Sequence, residues 1–293
     1  MLWKILRFPL TRIIVSILAV VAAQVGVVSS LRPFHWQQQL LGTGAAEMLR
    51  SILLILAGYL AYWAYVHLIE RRRAGEIKPA VPQFGAGVLV GAALFSATVG
   101  LLWAAGLYHV SGSNGWAVLS AACAGSLGSG FVEELYLRGI FFRVLEEWAG
   151  SWISLGSSAL LFGLLHLGNP HATLTSALAI ALEAGIMLAA AFMLTRNLWF
   201  PAGIHFAWNF TQGGIFGIAV SGNRAQGVLR SQLTGPELLS GGSFGAEASV
   251  FAVVVCVIAG VWILMLAIRK GHVVPVFWHR RPVPENVTAD IQW

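Results

Sequence analysis

Two adjacent glutamates, Glu133 and Glu134, lie inside a long apolar stretch, and Arg138 follows one helical turn after the second. An ionised carboxylate is very costly in hydrocarbon, so an acid in such a stretch commonly marks a functional site. On a helix, Glu134 and Arg138 are four residues apart with the acid first, the favourable order for an ion pair. Glu133 points about 100° away from Glu134. The spacing predicts that Arg138 neutralises Glu134 and leaves Glu133 facing elsewhere. A buried ion pair that only fixes helix packing would have the same spacing.

Two further apolar stretches carry polar groups at helical spacing. His166 ends one of them, four residues after Phe162, although a histidine at a helix end is also typical of a cap or an interface. His205 and Asn209 are four residues apart in the other stretch, so their side chains share one helix face. In hydrocarbon such groups need a polar partner or a water-filled cavity. A hydrogen bond between two helices would also supply such a partner. Glu183, early in its own stretch, is considered for the same cavity.

The composition restricts the class of protein. The 293 residues are 57% hydrophobic and only 10% charged, with a mean hydropathy of +0.76. Soluble domains carry about 25% charged residues, so we predict an all-α, polytopic membrane protein. The net charge of +6 is compatible with nucleic-acid binding. However, the basic residues cluster at the ends of apolar runs, so no nucleic-acid partner is expected. Cys123 and Cys256 both lie in apolar runs and suit packing better than a disulfide or a metal site.

The apolar runs predict about eight transmembrane helices. They cover approximately residues 13–29, 48–69, 87–108, 116–145, 152–167, 173–194, 198–220 and 248–268. The first run has features of a signal peptide, but its length and poor cleavage site favour an uncleaved span. We divide the chain into N-terminal helices and a linker (1–84), a membrane-embedded core (85–270) and a disordered tail (271–293). Pro79 and Pro82 mark the linker, at residues 78–84.

Basic residues predict the orientation of these helices. When the eight spans alternate in direction, the basic clusters fall on one side: Lys4, Arg7, Arg12, Arg71, Arg72, Arg73, Arg143, Arg196, Arg269 and Lys270. Lysine and arginine are enriched in cytoplasmic loops of membrane proteins. We therefore expect both termini in the cytoplasm and the hydrophilic loop at residues 221–247 on the other side.

The three motifs together carry a family resemblance. The order Glu-Glu-x-x-x-Arg, Phe-x-x-x-His, His-x-x-x-Asn on separate apolar helices resembles the CPBP family of intramembrane proteases, which includes the type II CAAX prenyl endopeptidases. The resemblance covers about residues 115–216, and the first three spans and the last carry no diagnostic motif. It implies an endopeptidase that hydrolyses a peptide bond in a membrane-associated peptide or protein within the lipid bilayer. It leaves the substrate, its prenylation and the oligomeric state open.

The resemblance also implies roles for the motif residues. Glu133 would be the general base that activates water, and His166 would position or polarise that water. His205 and Asn209 would donate hydrogen bonds to the developing oxyanion, where each such donor contributes about 3 kcal/mol in a dry site. Glu134, held by Arg138, would be structural support.

Zinc is the alternative to this cofactor-free chemistry. Members of the family have been labelled metalloproteases, and Glu133, His166 and His205 would form a His₂Glu ligand set. The chain contains no His-Glu-x-x-His motif, so we expect glutamate-activated water and no metal cofactor.

Two other classes of function compete with proteolysis. A non-catalytic immunity or scaffold protein of the same fold would keep the polar cluster for packing or for partner binding. A transporter would use the two glutamates as a proton relay, but the paired broken helices common in transporters are not evident. A catalytically inactive relative would commonly lack one of the four polar residues, and all four are present.

Overall fold

The computed structural model describes residues 8–31 and 43–277. The predictions for Lys4 and Arg7, for most of the loop before residue 44 and for the tail after residue 277 concern residues outside these ranges. The α-helices are α1 (Pro9–Leu31), α2 (Thr43–Tyr65), α3 (Val81–Ala104), α4 (Leu119–Glu134), α5 (Arg143–Ala149), α6 (Ser151–Leu165), α7 (Leu174–Ile180), α8 (Ile186–Thr195), α9 (Trp199–Asn209), α10 (Glu237–Ser240) and α11 (Val250–Arg269).

Shorter elements join or extend these helices. Single π-helical segments continue α2, α4, α7 and α9: Val66–Glu70, Leu135–Phe142, Ala181–Gly185 and Phe210–Ile215. Turns of 3₁₀-helix occupy Gly75–Ile77, Trp116–Val118, His166–Gly168 and Ala246–Ala248. The strands are β1 (Tyr108–Ser113) and β2 (Leu229–Leu233). The molecule is thus almost entirely helical, as an all-α membrane fold requires.

Within the described residues, six helices are long and apolar enough to cross a membrane, which confirms a polytopic membrane protein. They are Pro9–Leu31, Gly44–Glu70, Val81–Ala104, Ser151–Gly168, Leu174–Thr195 and Val250–Arg269. The other two predicted spans carry Glu133 and His205. The first is rich in small and polar residues, and the second is short, with 11 α-helical and 6 π-helical residues. Both lie against the apolar helices instead.

The basic clusters meet at one end of the bundle, as the alternating directions predict. Arg12 at the start of α1 contacts Glu70 at the end of the second span, at 2.9 Å. Arg143 in α5 contacts the same carboxylate at 3.0 Å, and Arg196 after α8 pairs with Glu146. We call this the basic end. The opposite end, with β1, β2 and the loop at residues 217–249, is called the hairpin end.

Glycines bring α3 and α9 into backbone contact. A Cβ atom on Gly91 would lie 2.3 Å from the carbonyl oxygen of Ile204, and one on Gly203 would lie 2.4 Å from that of Phe84. Small residues allow this approach between membrane helices, where packing rather than hydrophobicity holds helices together. The contact fixes the position of α9 and therefore of His205.

Small residues in α4 also allow close contact between helices. A Cβ on Gly130 would lie 2.9 Å from the amide nitrogen of Phe206, so α4 packs directly on α9. On another face, Gly128 approaches Ser51 of α2. The close contact at Gly130 places the two glutamates one turn later beside His205.

The antiparallel ribbon of β1 and β2 was not predicted from the sequence. Tyr108 pairs with Leu233 and Ser113 with Leu229, with an irregularity between Val110 and Gly112. The segments are short, and the hydrophilic loop that contains β2 lacks a strong periodicity, so long-range pairing alone makes the ribbon.

The third span begins earlier than predicted. The linker predicted over residues 78–84 ends sooner, because α3 starts at Val81 with Pro82 in its first turn. Proline is favoured there, since the first turn has no intrahelical partner for its missing N–H. The span also ends at Ala104 instead of near residue 108, where β1 begins.

The α3–α9 contact gives a stability prediction. Gly91→Ala should destabilise the protein by about 1–3 kcal/mol, because the added methyl group overlaps the backbone of α9. Gly100→Ala is the matched control on the same helix, since nothing lies within 4 Å of its added Cβ. The measurement is the thermal unfolding temperature in detergent. Equal temperatures for the two variants would contradict the backbone contact.

Candidate active site

The ion pair predicted from the sequence lies at the centre of the site. Arg138 Nη1 donates to Glu134 Oε1 at 2.7 Å, and neither side chain is exposed. Arg138 Nη2 also donates to the carbonyl of Gly185 at 3.2 Å, and its guanidinium lies 4.8 Å from the ring centre of Phe162. These contacts compensate the buried charges and join the helix of Glu134 to two further helices.

His205 contacts both glutamates. Its Nδ1 is 3.0 Å from Glu134 Oε1, and its Nε2 is 3.9 Å from Glu133 Oε2. A carboxylate paired with arginine can only accept hydrogen bonds, so Nδ1 carries a proton. Glu134 therefore fixes the imidazole so that Nε2 faces Glu133. The sequence predicted Arg138 as the partner of Glu134 but gave no sign of His205, which is 71 residues away.

Glu133 faces a cavity of about 700 Å³, which His166 and Asn209 also line. Its side chain is 38% exposed, whereas that of Glu134 is not exposed. The two adjacent acids thus have opposite environments, as their angular separation on the helix predicts. Glu133 is the carboxylate that can meet water and a substrate.

His166 has a fixed orientation as well. Its Nδ1 lies 2.7 Å from the carbonyl oxygen of Phe162, which can only accept, so Nδ1 carries the hydrogen. In a neutral ring, Nε2 then has a free lone pair. The Phe162 ring packs edge-on against both histidines, with centroid distances of 4.7 Å to His166 and 5.9 Å to His205. The Phe-x-x-x-His motif therefore acts as one packing unit.

Asn209 is oriented by a residue that the sequence analysis did not assign. Its Nδ2 donates to Ser129 Oγ at 3.0 Å, and both residues line the cavity. Ser129 lies four residues before Glu133, so helical spacing puts it on the same face. That spacing was the signal available in the sequence.

A π-helical segment begins within or directly after two of the three motifs. Leu135–Phe142 follows the two glutamates, and Phe210–Ile215 follows Asn209. A third segment, Ala181–Gly185, contains Glu183. Such wide turns recur at functional sites, because they re-aim side chains and leave irregular backbone hydrogen bonding.

Two more acids lie behind the histidines. Glu183 and Glu247 line a second, small cavity of about 20 Å³ together with His166 and His205. Glu183 is 1% exposed, and its Oε2 has no hydrogen-bond partner. Glu247 accepts a hydrogen bond from the backbone N–H of Ser221. Burial raises the pKa of Glu247 to about 7, against smaller opposing effects of its hydrogen bonds. Because Glu247 is a single acid in a glycine-rich loop, no sequence pattern predicted that it lies beside the histidines.

In the described part of the chain, the candidate ligand side chains are not arranged to bind a metal ion. Among residues 8–31 and 43–277, no group of three histidine, cysteine, aspartate or glutamate side chains is arranged to hold one. Of the predicted zinc ligands, Glu133 and His166 line the large cavity, whereas His205 lines the small cavity, and the three side chains do not form such a group.

The segment that contains the three motifs is similar to a family of membrane proteases. Residues 114–211 match the family model described as Rce1-like, type II CAAX prenyl endopeptidase. The match spans the three motifs and confirms the resemblance to the CPBP family over this segment. No curated protein and no solved structure matches the chain.

Glu247 gives a pH prediction. Because its pKa is about 7 in the folded protein and 4.5 ordinarily, the folded state binds a proton more tightly than the unfolded state. Its contribution to stability is full below pH 4.5 and is lost as the pH rises through about 7, amounting to roughly 3 kcal/mol at most. Glu247→Gln should flatten this decline and raise the unfolding temperature at pH 8. The exposed Glu237→Gln is the control, and an unchanged pH profile in Glu247→Gln would contradict the assignment.

Proposed function

We propose that this protein is an intramembrane endopeptidase in which Glu133 activates a water molecule for attack on a peptide bond. The observation that carries the proposal is the contrast between the two acids. Glu134 is buried between Arg138 and His205, while Glu133 is the one acid among the described residues that lines the large cavity. A cluster retained only for packing would need neither the cavity nor an accessible carboxylate.

In this proposal, Glu133 and the Nε2 atom of His166 hold the attacking water. Glu133 removes one proton as the water oxygen bonds to the carbonyl carbon, and the carbonyl oxygen becomes an oxyanion. The same proton is then given to the leaving amine nitrogen as the C–N bond breaks. General base and acid catalysis of this type contributes roughly 10²–10⁴-fold in rate.

Asn209 and His205 are proposed to stabilise the oxyanion. Asn209 presents an amide that Ser129 orients from α4. Because Nδ1 of His205 donates to Glu134, its Nε2 can donate only in a ring that carries both protons. The carboxylates at 3.0 Å and 3.9 Å from the two nitrogens favour that charged ring. Glu134 then has two tasks: it neutralises Arg138 and it orients His205.

The proposed substrate is a membrane-associated peptide or protein segment. The matching family is described as a type II CAAX prenyl endopeptidase. Among the described residues, the side chains that line the cavity are small or polar, apart from two valines, and none is phenylalanine, tyrosine or tryptophan. This lining suits a polypeptide backbone with small side chains, and it supplies no specific contact for a prenyl group.

The two glutamates give the sharpest test of function. Glu133→Gln should lower cleavage of a reporter peptide library by roughly 10²–10⁴-fold, because the base is lost. Its folding should be unchanged, since Glu133 is partly exposed. Glu134→Gln should destabilise the fold by about 3–5 kcal/mol, because Arg138 stays buried without its charge partner. Cleavage by the purified protein in detergent and its thermal unfolding are the measurements.

The comparison distinguishes enzyme from scaffold. Equal cleavage by wild type and by a well-folded Glu133→Gln would remove the proposed base. Absence of any cleavage by wild type, across a broad peptide library, would favour a non-catalytic immunity or scaffold protein. A stable but inactive Glu134→Gln with an active Glu133→Gln would exchange the two roles.

Metal independence is part of the proposal. Because no three ligand groups meet, activity should survive dialysis against a strong chelator, and the purified protein should contain substoichiometric zinc. The metal content is measured on the same samples as cleavage. Activity lost on chelation and restored by stoichiometric zinc would make Glu133, His166 and His205 the ligands.

A further inference from the structure

The two ends of the bundle differ in positive charge. Within the described residues, lysine and arginine at the basic end are Arg12, Arg71, Arg72, Arg73, Lys78, Arg143, Arg196, Arg269 and Lys270. Towards the hairpin end they are only Arg50, Arg224 and Arg230. Acidic residues contribute little to orientation, so the count of basic residues decides. The distribution puts the basic end in the cytoplasm and the hairpin end on the other side of the membrane.

The cavity at Glu133 extends towards the hairpin end. Its wall includes Gly44 at the start of α2, several small residues between 117 and 122, around the start of α4, and most of residues 220–226 in the loop after α9. These residues all belong to the hairpin end. Glu133 lies 14 residues after the start of α4, or about 21 Å along the helix. None of the lining residues comes from the basic end.

Packed side chains separate Glu133 from the basic end. Towards the basic end, Glu133 is followed by the Glu134–Arg138 pair, which is fully buried. Ile140, Phe142 and Val144 come next along the helix and are also fully buried. Beyond them, Tyr62 joins an ionic cluster of the basic end. Its hydroxyl accepts from Arg143 Nε at 3.0 Å and hydrogen-bonds to Glu76.

Two further ion pairs belong to that cluster. Arg72 Nη2 pairs with Glu76 at 2.6 Å, and Arg143 Nη1 pairs with Glu147 at 2.6 Å. Opening such a pair separates two opposite charges that neutralise each other in a largely buried cluster. A substrate approaching from the basic end would have to open several such contacts, whereas the hairpin end offers an existing path.

We propose that the peptide bond cut by this protein reaches Glu133 from the non-cytoplasmic side of the membrane. The substrate class is then a membrane-anchored polypeptide whose cleaved segment is extended, has small side chains and emerges on that side. This inference rests on the proposed proteolytic function for its chemistry, but the access path itself follows from the charge distribution and the cavity. A segment located wholly in the cytoplasm is not a substrate under this proposal.

The access path is tested by cysteine labelling. In a parent with Cys123 and Cys256 replaced by alanine, single cysteines are introduced as Ala121→Cys and Gln226→Cys, which both line the cavity. Lys78→Cys at the basic end is the matched control, because its side chain is exposed. Sealed vesicles of the two opposite orientations are treated with a membrane-impermeant maleimide.

Both cavity cysteines should react only from the non-cytoplasmic side, and the control only from the cytoplasmic side. Labelling of Ala121→Cys from the same side as Lys78→Cys would overturn the access path. Labelling of Lys78→Cys from the non-cytoplasmic side would overturn the orientation.

Cleavage in the same vesicles tests the substrate side. A membrane-impermeant fluorogenic peptide, selected by its cleavage in detergent, should be cut only when the hairpin end faces outward. Prior modification of Ala121→Cys with a bulky maleimide should abolish that cleavage. Cleavage only with the basic end outward would refute the inference while leaving the proteolytic function intact. Absence of Glu133-dependent cleavage in detergent would instead refute the function, and the labelling would still report the path.

Discussion

The buried pair of Glu134 and Arg138 is the interaction on which the arrangement of the site depends. Two charges with no exposure are tolerated in an apolar interior only when close polar partners compensate them. Here the partners are His205, a carbonyl before α8 and the face of Phe162. Satisfying this pair therefore sets the positions of three helices at once. The orientation of His205 and the exposure of Glu133 both follow from it.

The sequence predicted much of this arrangement, because its main features are local. The polytopic all-α fold follows from apolar run lengths, and the Glu134–Arg138 pair from helical spacing. The same spacing separates Glu133 from Glu134 and puts His205 and Asn209 on one face. The apolar runs are continuous segments of sequence, and each of the residue pairs lies within about one helical turn, where geometry is fixed by the α-helix itself.

The remaining features depend on contacts between distant segments. The His205–Glu134 bond, the position of Glu247 and the β1–β2 ribbon each join residues far apart in sequence. No local pattern specifies which helices meet, and backbone contacts such as that of Gly91 with Ile204 are visible only once the helices are packed. The π-helical segments were missed for the same reason, since their cause is tertiary packing around polar groups rather than a propensity of the residues.

The ionic cluster at the basic end has a consequence for the modularity of the chain. Arg143, in the segment that matches the protease family, has carboxylate partners at Glu70 and Glu76, which precede that segment. The motif-bearing segment would therefore not behave as an autonomous unit if it were excised or grafted onto another set of helices. Its buried arginine would lose the acids that the N-terminal helices contribute. The helices without motifs are thus obligatory parts of the scaffold, and any chimera has to transfer them together with the site.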